Sequence, residues 1–122
     1  MKLRIRGDSI RLRLTQAEVT ALAEGRSVQE STGFGPGSTL TYAIVVGAPT
    51  LSAKLTGTRV EVAIPADVAR AWATGDAVGV EGAQDVGQGR TLRILVEKDF
   101  ACLTARPHED DADAFPNPNA SC

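Results

Sequence analysis

The chain has 122 residues, of which 43% are hydrophobic, 23% charged and 4% aromatic, and its formal net charge is −2. These values predict one soluble globular domain with a short tail. No apolar run approaches the length of a membrane span, and two cysteines are too few for a disulfide-rich scaffold. No signal-peptide segment precedes the first predicted strand, so we expect a cytoplasmic, bacterial-type protein with no membrane partner.

Two predicted strands open the chain. Basic and apolar residues alternate over residues 2–6 and again over 9–14, with Gly7 and Asp8 between them as a turn. Because strand side chains alternate between faces, both strands are predicted to be half-buried. Their apolar face carries Leu3, Ile5, Ile10, Leu12 and Leu14. Their basic face carries Lys2, Arg4, Arg6, Arg11 and Arg13.

A helix follows, because Thr15 and Glu18 have the spacing of a capping box and Gly25 is a natural stop. A second helix begins at Pro65 and ends near Gly75, with Trp72 on its apolar face. Alternation and turn residues predict the remaining strands. These are residues 26–32, 39–46, 51–55, 59–64, 77–81 and 91–98, with glycine-rich loops at 33–37 and 82–89.

Eight strands and two short helices in the order ββα ββββ α ββ predict a single-domain α+β fold. Tight turns favour antiparallel pairing, so we expect a strongly curved, mainly antiparallel sheet or a small barrel over residues 1–106. No repeat of a solenoid period is evident. Residues 107–122 are predicted to be an acidic, Pro/Asn-rich C-terminal tail.

The basic face is the first candidate site. Guanidinium groups bind phosphates and carboxylates in bidentate fashion, so Arg4, Arg6, Arg11 and Arg13 are predicted to bind an anion. Sheets bury their apolar face, which predicts an outward basic face paired with Glu61, Glu81 or Glu30. Further cations that could join it are Lys54, Arg59 and Arg93.

An inward basic face would instead line an anion tunnel. That arrangement is similar to triphosphate tunnel enzymes, which are eight-stranded barrels whose first strand carries a Glu-x-Glu-x-Lys motif. The matching strand here reads KLRIR over residues 2–6. The metal-binding carboxylates are missing, which argues against a metal-dependent phosphohydrolase. The low aromatic content and acidic balance also argue against nucleic acid as a partner.

The second candidate site lies near the C-terminus. Thiolate, imidazole and carboxylate ligands bind zinc, so Cys102, His108 and Cys122 could form a metal site with a nearby acid. Two free cysteines are the favoured alternative, since the spacing matches no standard zinc motif. A Cys102–Cys122 disulfide and a Cys102–His108 nucleophile pair stay open. The glycine-rich loops lack a P-loop ending and are interpreted as turns.

Several sequence blocks resemble a family of short bacterial proteins described only as a domain of unknown function. The blocks are residues 1–7, 9–15, 34–37, 97–103, 109–110 and 113–118. The resemblance covers nearly the whole chain and implies a compact, stand-alone protein that includes its tail. It implies no activity and no catalytic residues.

The favoured interpretation is a non-catalytic binding or accessory module. Its basic face would engage a small anionic ligand or an acidic protein segment. The alternatives are a zinc-binding protein and an intramolecular role in which the acidic tail covers the basic face. The tail has a charge of −4 from Glu109, Asp110, Asp111 and Asp113, whereas residues 1–13 carry a balance of +4.

Overall fold

The computed structural model describes residues 1–100. This part of the chain contains eight strands and two helices, as the sequence predicts. In chain order they are β1 (Lys2–Arg6), β2 (Ser9–Leu14), α1 (Gln16–Ala23), β3 (Val28–Gly35), β4 (Ser38–Val46), β5 (Ser52–Thr56), β6 (Arg59–Ile64), α2 (Ala66–Thr74), β7 (Gly79–Gly87) and β8 (Arg90–Lys98).

The strands form two four-stranded sheets, which confirms the α+β class. Sheet I has the order β1-β2-β8-β7, and sheet II has the order β5-β6-β4-β3. The hairpins are antiparallel, but β2 pairs with β8 and β4 pairs with β6 in parallel. Each sheet is therefore mixed, and the strand ladders do not close into one sheet. Short-turn signals cannot reveal a parallel pair, because its strands lie far apart in the sequence.

The two halves of the described chain repeat the same ββαββ unit. Equivalent elements are separated by 50 to 52 residues: β1 matches β5, β2 matches β6, α1 matches α2, β3 matches β7 and β4 matches β8. The exchange of halves also exchanges sheet I with sheet II. The first turns of the two halves use glycines of nearly equal geometry, Gly7 at φ 53° and Gly57 at φ 58°. The molecule therefore has an approximate internal twofold symmetry.

Backbone hydrogen bonds follow the same symmetry. The Arg93 amide donates to the Asp8 carbonyl at 2.9 Å, and its equivalent, the Thr41 amide, donates to Thr58 at 3.0 Å. A search for a solenoid period misses this duplication, because the unit occurs only twice and the two copies share mainly their apolar pattern and turn glycines.

A single core lies between the inner faces of the sheets and the helices. Its largest fully buried side chains include three equivalent pairs: Leu12 with Val62, Leu14 with Ile64, and Leu22 with Trp72.

The helices are fixed at their ends and pack against each other. The predicted capping box is present at Thr15 and Glu18, and Pro65 is the N-cap of α2. The Trp72 indole donates to the Val78 carbonyl at 3.3 Å, which satisfies the polar atom of this buried ring. Neither helix in residues 1–100 has the length and apolar character needed to cross a membrane.

Two element boundaries predicted from the sequence are wrong. Residues 82–87 belong to β7, and β3 continues to Gly35, although both stretches were predicted to be loops. Register shifts at Gly33/Gly35 and Asp85/Gly87 show a bulge next to the turn of the β3–β4 hairpin and of the β7–β8 hairpin. Glycine-rich strand ends of this kind resemble loops in sequence, because glycine serves both bulges and turns.

The edges of the two sheets meet at β5 and β7 through one side chain. The Ala53 amide donates to Gln84 Oε1 at 2.8 Å, and Gln84 Nε2 donates to the Ala53 carbonyl at 2.9 Å. The side-chain amide of Gln84 thus makes the two hydrogen bonds that the backbone of a neighbouring strand would otherwise make, and it satisfies the N–H and C=O groups of the edge residue Ala53.

Candidate anion-binding face

The outer face of sheet I is basic. Leu12, Ile94 and Val96 point into the core, so the residues that alternate with them point outward. The strand register then places cations in three rows across β1, β2 and β8. We call this surface the basic face; its cations are Lys2, Arg4, Arg6, Arg11, Arg13 and Arg93. All four arginines predicted as the anion site lie on it, together with Arg93.

A buried acid lies within the basic face. Oε1 of Glu97 lies 3.2 Å from Arg11 Nε and 3.6 Å from Arg13 Nε, and it accepts no hydrogen bond from any group in residues 1–100. The side chains of Arg11 and Arg13 are only 16% and 15% exposed. A Cβ at Gly79 would lie 3.0 Å from Glu97 Cγ and 2.7 Å from the Val96 carbonyl, so the strand beside Glu97 has no room for a side chain there.

The predicted acidic partners of the basic face need correction. In the described residues, Glu97 pairs with Arg11 and Arg13, and Asp99 pairs with Lys2 at 3.0 Å. Glu61 and Glu30 lie elsewhere. Glu61 pairs with Lys54 and Arg59 on sheet II, and Glu30 binds the ammonium group of Met1 and the Tyr42 hydroxyl. Only the parallel pairing of β2 with β8 brings Glu97 opposite Arg13, which explains why sequence reasoning missed it.

The row nearest the hairpin turns presents two exposed guanidinium groups. Arg6 and Arg93 are the cross-strand neighbours of Ser9, one on each side. Their backbones are therefore two strand spacings apart, about 10 Å, which long side chains can bridge around one ligand. Within residues 1–100 no carboxylate pairs with either side chain.

A pocket of about 260 Å³ adjoins this row. Its lining includes Ser9, Arg11, Glu81, Arg93 and Leu95. Glu81 gives the pocket one exposed acid, and Asp85 at the far edge accepts a hydrogen bond from the Gly87 amide. The surface therefore combines an open arginine row with a shallow recess and an excess of positive charge.

The outer face of sheet II carries different residues at the positions equivalent to the basic face. The equivalents of Arg6, Arg11, Arg13 and Arg93 are Thr56, Glu61, Ala63 and Thr41. Glu61 lies 3.0 Å from Arg59 and 3.5 Å from Lys54, so the two outward cations of β5 and β6 share one carboxylate. The hydrogen bond from Arg59 holds the pKa of Glu61 below its ordinary 4.5. The fold therefore does not require arginines at these positions.

The tunnel alternative does not fit this geometry. The basic face points away from the core, and the inner faces of both described sheets are apolar. The sequence-predicted metal ligands Cys102, His108 and Cys122 lie outside the described residues, so the zinc site stays a prediction. Residues 1–100 contain no cluster of three His, Cys, Asp or Glu side chains placed to hold a metal ion.

Comparison with known proteins gives one match. A family model described as a family of unknown function (DUF7009) matches residues 1–119. No curated protein and no solved structure matches the chain. The family match agrees with the resemblance noted in the sequence, and it also covers most of the predicted acidic tail.

Proposed function

From the premise that the chain belongs to the family of unknown function DUF7009, we propose that it is a non-catalytic binding module whose basic face recognises an oxyanion-bearing ligand. The oxyanion is a carboxylate or a phosphate, carried by an acidic protein segment or by a small molecule. The cytoplasmic location and bacterial origin predicted from the sequence stay predictions.

The observation that carries this proposal is the difference between two equivalent surfaces. Both sheets have the same strand order and the same inward apolar pattern, yet arginines accumulate only on the outside of sheet I. Arg4 lies directly opposite Arg11, an arrangement of like charges that destabilises a sheet unless acids compensate it, as Glu97 does at Arg11. Because the fold does not need this concentration of arginines, it is best explained by a ligand.

The row of Arg6, Ser9 and Arg93 suits an oxyanion. Two planar guanidinium forks can each donate two parallel hydrogen bonds to one carboxylate or phosphate. The Ser9 hydroxyl donates to the Arg6 carbonyl at 2.7 Å, which ties the end of β1 to β2 between the two forks. The second row, with Arg4 and Arg11, can neutralise a further charge of a longer acidic ligand.

The test compares two doubly substituted proteins by titration calorimetry at low salt. Arg6→Thr/Arg93→Thr installs the sheet II residues at both positions of the open row. Arg59→Ser/Arg70→Thr removes the same charge elsewhere and installs the equivalent residues of the first half, Ser9 on β2 and Thr20 on α1. The probes are hexaglutamate for a protein segment and pyrophosphate for a small phosphate ligand.

We expect the first variant to lose roughly tenfold or more in affinity for its probe, because a charge-assisted hydrogen bond contributes about 1.5–3 kcal/mol. The second variant should change affinity by less than about twofold. Preference for one probe identifies the source of the oxyanion. Equal losses in both variants would show nonspecific charge attraction, and absence of binding by the wild-type protein would refute the proposed function.

A further inference from the structure

An apolar pocket of about 460 Å³ opens between the two sheets, on the side where β5 faces β7. Its mouth carries three large hydrophobic side chains that water reaches: Ile5 is 61% exposed, Leu55 is 71% exposed and Val86 is 48% exposed. Ile10, Val60 and Leu92 line it further in. Small-molecule sites are concave, mainly apolar and about 300–1,000 Å³ in volume, so this pocket has the size of one.

The neutral polar side chains that line the pocket are already engaged. Gln84 uses its amide oxygen and nitrogen on the backbone of Ala53, and Ser9 donates to the Arg6 carbonyl. A ligand with polar groups along its length would lose hydrogen bonds to water there without replacing them. The interior of the pocket therefore fits a hydrocarbon chain.

The internal symmetry explains why space is left at this position. The residues equivalent to Ala53 and Val86 in the other half are the larger Leu3 and Phe34. Because both positions carry smaller side chains in this half, more free space is left beside β5 and β7. This asymmetry between otherwise similar halves is the kind of local departure expected at a binding site.

Among residues 1–100, the charged residue that lines the pocket is Lys54, on the edge strand β5. Its side chain is 69% exposed, and its ammonium nitrogen lies 3.5 Å from Glu61 Oε1. We propose that the pocket binds the alkyl chain of a small amphiphile whose carboxylate head lies at Lys54. The chain pocket uses inner-face residues, and Lys54 adjoins it from the outer side of the edge strand β5. The site therefore needs none of the arginines of the basic face.

The test is a titration of the wild-type protein with decanoate and with decanol, followed by calorimetry or amide NMR. Both probes should bind through the chain, and decanoate should bind more tightly because of the cation. Lys54→Ser should weaken decanoate by roughly three- to fivefold, as expected for an exposed ion pair, and leave decanol unchanged. Glu61→Gln removes the competing carboxylate and should strengthen decanoate binding.

A second pair of variants tests the chain pocket. Leu55→Asp places a charge at the mouth and should lower binding of both probes at least tenfold. Phe34→Asp changes an equally exposed side chain in the opposite half and should leave both affinities unchanged. Since both sites are exposed, neither variant is expected to prevent folding.

Two results would overturn the inference. Decanol binding as tightly as decanoate would show that Lys54 holds no head group. The second result has two parts: neither probe binds, and the wild-type protein sediments as a dimer whereas the Leu55→Asp variant sediments as a monomer. It would show that a second copy of the chain covers the pocket. Loss of hexaglutamate or pyrophosphate binding alone would leave this inference intact and refute only the proposed function.

Discussion

The outer faces of the two sheets occupy equivalent places in the fold and differ in their chemistry. On sheet I, Arg11 and Arg13 of β2 both contact the buried Glu97 of β8, and Arg6 and Arg93 are exposed. On sheet II, Lys54 and Arg59 share Glu61 at the surface. The inner faces, by contrast, carry buried aliphatic residues at several equivalent positions, such as Leu12 with Val62 and Leu14 with Ile64.

This difference separates what holds the molecule together from what it presents to a ligand. Burial of apolar surface is the dominant stabilising contribution, and it constrains both halves alike. Outward positions are free to change, and the proposed function therefore rests on the concentration of charge on one of two equivalent surfaces. The following predictions test this comparison by substitutions in the core, at the buried acid, at the junction between the sheets and at the turns.

The largest effect is expected in the core, where the halves should behave alike. Trp72 and Leu22 are equivalent and almost completely buried. Trp72→Ala should cost about 3–5 kcal/mol and Leu22→Ala about 2–5 kcal/mol in unfolding free energy, through lost transfer energy and a cavity. Urea denaturation measures both values. If one of the two substitutions cost less than about 1 kcal/mol of unfolding free energy, the two halves would not contribute equally to the core.

The next effect concerns Glu97, whose sheet II equivalent is Val45. Glu97→Val leaves Arg11 and Arg13 close together without the carboxylate between them. The loss should approach, without reaching, the roughly 3–5 kcal/mol of a broken buried ion pair, because both arginines keep some contact with water. Added salt should restore part of the stability by screening the two cations.

Glu97→Gln is the control for shape, and it should show the same salt response with a smaller loss. Urea denaturation at low and high ionic strength gives both quantities. A Glu97→Val protein that is more stable than wild type, with no response to salt, would show that the buried acid does not compensate the basic face.

The junction between the sheets should respond less strongly. Gln84→Ala removes both hydrogen bonds to Ala53, so a partly buried amide and carbonyl lose their partners. The expected cost is about 1–3 kcal/mol. Thr32→Ala at the equivalent position of β3 should cost less, and thermal melts of the two variants compare them. Equal costs would show that the Gln84 bridge adds nothing specific.

Sequence reasoning could predict the local elements and could not predict how they combine. Alternation over residues 2–14 identifies both strands and their apolar faces, and the capping box at Thr15 identifies the first helix, because these signals are local. The parallel pairing of β2 with β8 depends on contacts across the whole chain, and it alone brings Arg93 beside Ser9 and Glu97 opposite Arg13. The predicted basic face was therefore complete on β1 and β2, and Arg93 was named among its possible further cations. Sequence reasoning could not separate Arg93 from Lys54 and Arg59, which lie on sheet II.

The smallest effect is expected at the turns of sheet I, where Arg90 Nε donates to Asp8 Oδ2 at 2.9 Å and joins the first and last hairpins. This hydrogen bond holds the pKa of Asp8 below its ordinary 3.8. Because the folded pKa is lower than the unfolded one, ionised Asp8 stabilises the fold fully above the unfolded pKa. This contribution disappears as the pH falls through the folded pKa.

Sheet II has Thr58 and Ser38 at the positions of Asp8 and Arg90, so Asp8→Thr reproduces the residue in its turn. Between about pH 5 and about pH 3, the melting temperature should fall slightly less in Asp8→Thr than in wild type. Carboxyl NMR of Asp8 provides the direct check, and a titration at or above 3.8 would show that Arg90 does not hold the two hairpins together in solution.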